Sequence, residues 1–122
     1  MTQSEAIASA LAYFDDDEGY FADLARRVAV PTESQNPDRI PDCYRYLDDQ
    51  MRPAFEAMGY ACRIYDNPFE GCGPVLLATR IEDPTLQSVL GYGHGDVVLG
   101  QGGQWNDGRD SWTLERVGLV FC

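Results

Sequence analysis

Histidine is almost missing from this chain: 122 residues contain one, His94. A single imidazole cannot build a zinc site alone, since structural sites take four protein ligands and catalytic ones three plus a water. Cysteine does not fill the gap. Cys43, Cys62, Cys72 and Cys122 form no C-x-x-C pair, so neither a cysteine zinc site nor a dithiol redox motif is written, and reduced thiols are expected. Positive charge is scarce as well. Nine Lys and Arg stand against twenty Asp and Glu, a formal net charge of −11, which repels phosphate backbones and anionic headgroups and excludes nucleic acid as an expected partner. No apolar run approaches the roughly 20 residues of a membrane helix. The N-terminal "MTQSEAIASALAYFDDDEGY" has no basic flank followed by an apolar core, so no membrane partner and a cytoplasmic location are expected. Signature motifs are missing too: there is no G-x-S-x-G elbow, no phosphate loop with its lysine, no H-E-x-x-H and no dinucleotide fingerprint.

What is present is the composition of a folded protein, 44% hydrophobic, 24% charged and 11% aromatic, with the length of one domain. Apolar residues at helical spacing, Ile7, Leu11 and Phe14, then Phe21, Leu24, Ala25 and Val28, flank the acidic "DDDEG" at 15–19. This predicts two helical pieces or one helix kinked at Gly19, with the carboxylates favouring a helix N-terminus and facing water. "VPTESQNPD", 30–38, reads as a loop whose Thr32, Glu33 and Ser34 either line a cleft or meet solvent. From Pro41, Tyr44, Leu47, Met51, Phe55 and Met58 share one helical stripe ending at Gly59. The stripe predicts core packing against a sheet, and Pro53 should kink the helix or start a new one.

After Gly59 the pattern changes to short strand-like runs, "YACRIYD", "GPVLLATRI" and "QSVLGYGH", separated by the turn-rich "NPFEGCG" and "EDPTL". The expected fold class is α/β, with helices on one side of a short mixed sheet whose other face exposes apolar strand residues. "GQGGQW" reads as a mobile loop. "LERVGLVFC" starts a further apolar run and stops within it, which leads us to expect an incomplete domain.

In "GYGHGDVV", His94 is expected at the carboxyl end of an apolar strand, where α/β sheets gather ligand-binding groups. In extended chain His94 and Asp96 project to one side, so the carboxylate can hold one ring nitrogen while the other meets a metal. A hydrogen-bonded loop histidine satisfies the same three residues, and H-x-D alone does not decide between them. A Ser–His–Asp triad lacks a signposted nucleophile. A thiol function of Cys62 or Cys72 would need a depressed thiol pKa, for which no basic cluster is evident.

The stretch "VLGYGHGDVVLGQGGQWNDGRDSWTLE", preceded upstream by "VAVPTESQNPD", resembles the zinc-dependent peptidase and deacylase family that includes acetylornithine deacetylase, succinyl-diaminopimelate desuccinylase, aminoacylase and related dipeptidases and carboxypeptidases. The resemblance runs from about Phe21 to Glu115, with the helix, the "PTES" loop, the "FEAMGY" helix end, the strand pair and H-x-D-V-V in the family's order. It implies that His94 ligates one metal of a two-metal site holding zinc or another divalent cation such as cobalt, and that Asp96 is the catalytic-site carboxylate orienting it. Trp105 and Arg109 to Glu115 are implied to be structural. The family's next motifs, a Gly-Arg-Gly stretch with a metal-bridging aspartate, a Glu-Glu pair supplying the general base and a ligand, the later ligands and the dimerisation domain, have no counterpart here.

The expectation is therefore that residues 1–122 form the N-terminal portion of a zinc-peptidase-like catalytic domain. The resemblance implies that the complete enzyme would cleave small N-acyl amino acids or short peptides with metal-activated water, and would form a homodimer in the manner of complete family members. The chain by itself is expected to be inactive. The alternative expectation is a non-catalytic remnant that acts as a binding or regulatory module.

Overall fold

A computed structural model describes residues 2–118 and 120–121. Helix α1, Gln3–Phe14, begins with a capping box in which Thr2 Oγ1 accepts from Glu5 N at 3.3 Å and Glu5 Oε2 accepts from Thr2 N at 2.7 Å. The chain breaks at Asp15 and Asp16, not at Gly19, and α2 runs Asp17–Val28. Asp16 caps α2 by accepting from Gly19 N at 3.0 Å, so an acidic side chain does sit on the helix's positive end, as the cluster predicted. A Cβ at position 19 would collide with that capping carboxylate, which explains why glycine follows the acidic run.

A 3-10 turn at Pro37–Arg39 leads into α3, Ile40–Arg45, a π turn at Tyr46–Met51 and α4, Arg52–Ala57. The π turn is the structural answer to Pro53. Proline has no N–H to donate and its ring crowds the carbonyl four residues back; the turn before it widens, with Arg52 N bonded to Leu47 O, and the helix continues without a break. The widening also rotates the predicted stripe: Tyr44, Leu47, Met51 and Phe55 are half-buried, whereas Met58 is exposed and Cys43 is the buried residue of this helical run.

Two of the three predicted strands form. β1, Ala61–Tyr65, and β2, Val75–Thr79, pair antiparallel with Ala61 opposite Thr79 and Tyr65 opposite Val75. Their burial alternates: Cys62, Ile64, Leu76 and Ala78 are half-buried on one side, while Tyr65, Val75 and Leu77 remain exposed on the other. α4 packs against this hairpin. The described content is thus mixed helix and strand with one apolar sheet face left open.

The third run, 87–94, is not a strand, a correction to the sequence reading. A strand needs a neighbour to satisfy its backbone, and among the described residues no strand pairs with this segment. Parallel pairing survives as one isolated bridge, Glu33 with Val97, so the sheet is two antiparallel hairpins and a bridge rather than a short mixed sheet. The last run bends back on itself: β3, Arg116–Val117, pairs with β4, Val120–Phe121, around Gly118 at φ 63°. The core is correspondingly small. Val30, Thr32, Cys43 and Gly100 are the buried residues among those described, and no large side chain among them is fully enclosed. No helix among the described residues is long and apolar enough to cross a membrane.

Candidate functional site

His94 and Asp96 do come together, but on a loop. The imidazole Nδ1 lies 3.4 Å from Asp96 Oδ1 and 3.2 Å from the Asp96 carbonyl oxygen. With the proton on Nδ1, the ring donates toward Asp96 and its Nε2 is left as a lone-pair donor with no partner among the described residues. The 3.4 Å separation is longer than a good hydrogen bond, and the side chains are 67% and 46% exposed. The carboxylate therefore orients the ring loosely, in water.

The backbone carrying this pair is fixed firmly from below. Thr32, 4% exposed, donates its hydroxyl to Gly95 O at 2.7 Å. Thr32 O accepts from Val97 N at 2.9 Å, and Val97 O accepts from Ser34 N at 2.9 Å. Glu33 Oε1 accepts from Gly100 N at 2.6 Å, and the Arg39 guanidinium lies 3.8 Å from its second oxygen. Thr32, Glu33 and Ser34, which the sequence left between cleft and solvent, all anchor the loop after His94. Their only sequence signal was position after a Val-Pro step, which any surface loop shares.

Glycines set how closely the loop approaches. A Cβ on Gly95 would fall 2.7 Å from Tyr46 Cζ, so the residue between His94 and Asp96 must be glycine for the loop to rest on the π turn. A Cβ on Gly100 would meet Trp112 Cζ2 at 2.6 Å and Ser111 Oγ at 2.5 Å. The Gly100 carbonyl accepts from Trp105 Nε1 at 2.8 Å. Asp110 accepts from Trp112 N at 2.7 Å and from Thr113 Oγ1 at 3.0 Å, and Arg109 Nε bonds Glu115 at 3.2 Å. Trp105 and the 109–115 stretch thus brace the loop rather than present reactive groups. "GQGGQW" is a closed turn, Gln104 N to Gln101 O at 3.0 Å, with its first glycine pinned.

Burial, followed by the charges of Asp96 and Asp42, pushes the Cys43 thiol up, so Cys43 is a packed, protonated residue beneath the loop. Burial and the Glu56 carboxylate push the Cys62 thiol up against the opposing pull of Arg52, the reverse of what a nucleophilic thiol needs. Cys43, Cys62 and Cys72 are free thiols; Cys122 lies outside the described residues.

Among the described residues no group of three or more His, Cys, Asp or Glu side chains is placed to hold a metal ion. The donors present fit one ligand and its orienting carboxylate, and they do not fit a complete site. The chain matches no protein-family model, no curated protein and no solved structure.

Proposed function

We propose that this chain supplies one metal ligand, His94, and its orienting carboxylate, Asp96, to the catalytic domain of a metal-dependent amidohydrolase or peptidase of the zinc-dependent deacylase type, and that it is inactive alone. The observation that carries this reading is the His94–Asp96 pair itself: Nδ1 lies 3.4 Å from the carboxylate, which leaves Nε2 as the nitrogen to meet a metal, on a loop tied down by Thr32 and Glu33. That is the arrangement of an imidazole ligand with its supporting carboxylate. In an assembled site a divalent cation, zinc or cobalt, would polarise an amide carbonyl of an N-acyl amino acid or short peptide and activate water. The residues here hold the imidazole in place; the remaining ligands and the general base must come from other sequence. A cytoplasmic setting accords with this reading and with the free thiols.

Zinc titration calorimetry on the purified chain tests it. One imidazole and one carboxylate should bind zinc weakly, with a dissociation constant on the order of 0.1 mM or weaker, and His94→Ala should abolish that binding while leaving the circular dichroism spectrum intact. Tight binding that survives His94→Ala would sink the assignment of His94 as the ligand.

A further inference from the structure

We propose that the Asp107–Gly108 step is a site of spontaneous covalent modification, at which the main chain isomerises from an aspartyl to an isoaspartyl linkage with no enzyme and no oxidant. The inference is independent of the metal reading.

The chemistry needs a carboxyl group to meet the backbone nitrogen of the next residue. The Gly108 nitrogen attacks Asp107 Cγ, the carboxyl hydroxyl leaves with the amide proton as water, and a five-membered succinimide forms. Water then adds to one of the two ring carbonyls. Cleavage of the Cγ–N bond restores the aspartyl link, whereas cleavage at the original main-chain carbonyl leaves the chain running through Cγ. The water lost in the first step is regained in the second, and nothing is oxidised or reduced.

Three features select this step. It is the one Asp-Gly or Asn-Gly pair in the sequence, and a following residue without a Cβ obstructs ring closure least. Its surroundings are open. The Asp107 side chain is 78% exposed, its carboxylate has Arg109 Nη1 at 3.8 Å as its ionic neighbour, and a Cβ built on Gly108 would meet nothing within 4 Å. The backbone is also poised to leave its present state. Asp107 lies at φ 58°, ψ 27° and Gly108 at φ 72°, a left-handed conformation that Asp holds under strain. Ring closure turns ψ of Asp107 away from that conformation, at the loss of one turn hydrogen bond, Arg109 N to Asn106 O at 3.2 Å.

Other aspartates are held or blocked. Asp66 accepts from Tyr44 Oη at 2.7 Å, and Asp110 accepts from Trp112 N and Thr113 Oγ1. Asp83 precedes Pro84, whose nitrogen carries no proton to give up, and Asp96 precedes the branched Val97. The location of Asp107 gives the change a consequence. It lies between Trp105, whose indole holds the Gly100 carbonyl, and the 109–115 stretch that braces the same loop. An isoaspartyl link adds one carbon to the main chain between those two anchors and loosens the brace.

The test is ageing of the purified full chain at physiological temperature, beside a synthetic peptide of residues 104–112. Isoaspartate is read by tryptic mapping of peptide 81–109 and by methyl transfer from a protein isoaspartyl methyltransferase. The expected result is a peptide of unchanged mass and new retention time, with isoaspartate at position 107, formed at a rate within about fivefold of that in the synthetic peptide. Asp107→Glu should abolish it, because the longer side chain would have to close a slower six-membered ring; circular dichroism checks that this variant keeps the fold. In the aged chain the Trp105 indole proton should exchange faster than in the fresh one. Formation more than about fivefold slower in the folded chain, isoaspartate chiefly at another aspartate, persistence in Asp107→Glu, or unchanged Trp105 exchange would each overturn the proposal.

Discussion

Thr32 illustrates how one side chain can determine the position of another far from it in sequence. Its hydroxyl is buried against the Gly95 carbonyl, and the loop bearing His94 rests on that bond. Thr32→Val keeps the shape and removes the donor, leaving the Gly95 carbonyl with one partner fewer at a part-buried site. The expected cost is about 1–2 kcal/mol in urea unfolding, with Val97 amide exchange faster than in wild type. A variant as stable as wild type would show that the bond contributes nothing net. Neither Thr32 nor Glu33 could be singled out in the sequence, because a polar residue in a Pro-rich loop carries the same text whether it faces solvent or a backbone 63 residues away. The closeness of His94 and Asp96 was legible, since a two-residue spacing has geometric consequences in any extended chain.

At the scale of elements, local chemistry was easier to read than pairing. The acidic run announced the cap of α2, the stripe from Tyr44 announced the helix, and the alternation in 61–65 and 75–79 announced the hairpin. The run at 87–94 has equally strand-like text and stays unpaired, because strand formation depends on a neighbour that no local pattern specifies. The π turn was half legible: Pro53 called for an accommodation, and only the structure shows that widening, not breaking, provides it.

The junction of α1 and α2 makes a pH prediction. Tyr13 Oη donates to Asp23 at 2.8 Å, and Arg26 and Arg27 pair with the same carboxylate. Burial alone would raise the Asp23 pKa, but the hydrogen bonds from Tyr13 and Arg27 and the two guanidinium charges outweigh it and hold the group below its ordinary value. A depressed carboxyl pKa stabilises the fold above the unfolded value, near pH 4, and that contribution disappears as pH falls through the folded value. The α1–α2 contact should therefore loosen below about pH 4, seen as a change in Tyr13 and Tyr20 ring resonances. Asp23→Asn should remove that acid-dependent step.

For the whole molecule, charge and exposed apolar surface act against each other. A net charge of −11 opposes contact between copies, while exposed apolar side chains such as Val89, Leu90 and Tyr92 favour it at short range. Salt screens the first far more than the second. Light scattering should accordingly show association strengthening between 0.02 and 0.5 M sodium chloride, concentrations at which the screening length falls from about 20 Å to about 4 Å. Association that weakens with salt would mean that ion pairs, rather than apolar surface, hold the copies together.

The ties of the His94 loop also have a kinetic meaning. The helices close over three or four residues and the β1–β2 hairpin over the nine residues between Tyr65 and Val75, but Thr32 reaches Gly95 across 63 positions and Glu33 reaches Gly100 across 67. Contacts of such separation form only after the intervening chain has been drawn in and its loop-closure entropy spent. The segment that positions the imidazole is thus expected to dock late in folding, after the local helices and the hairpin.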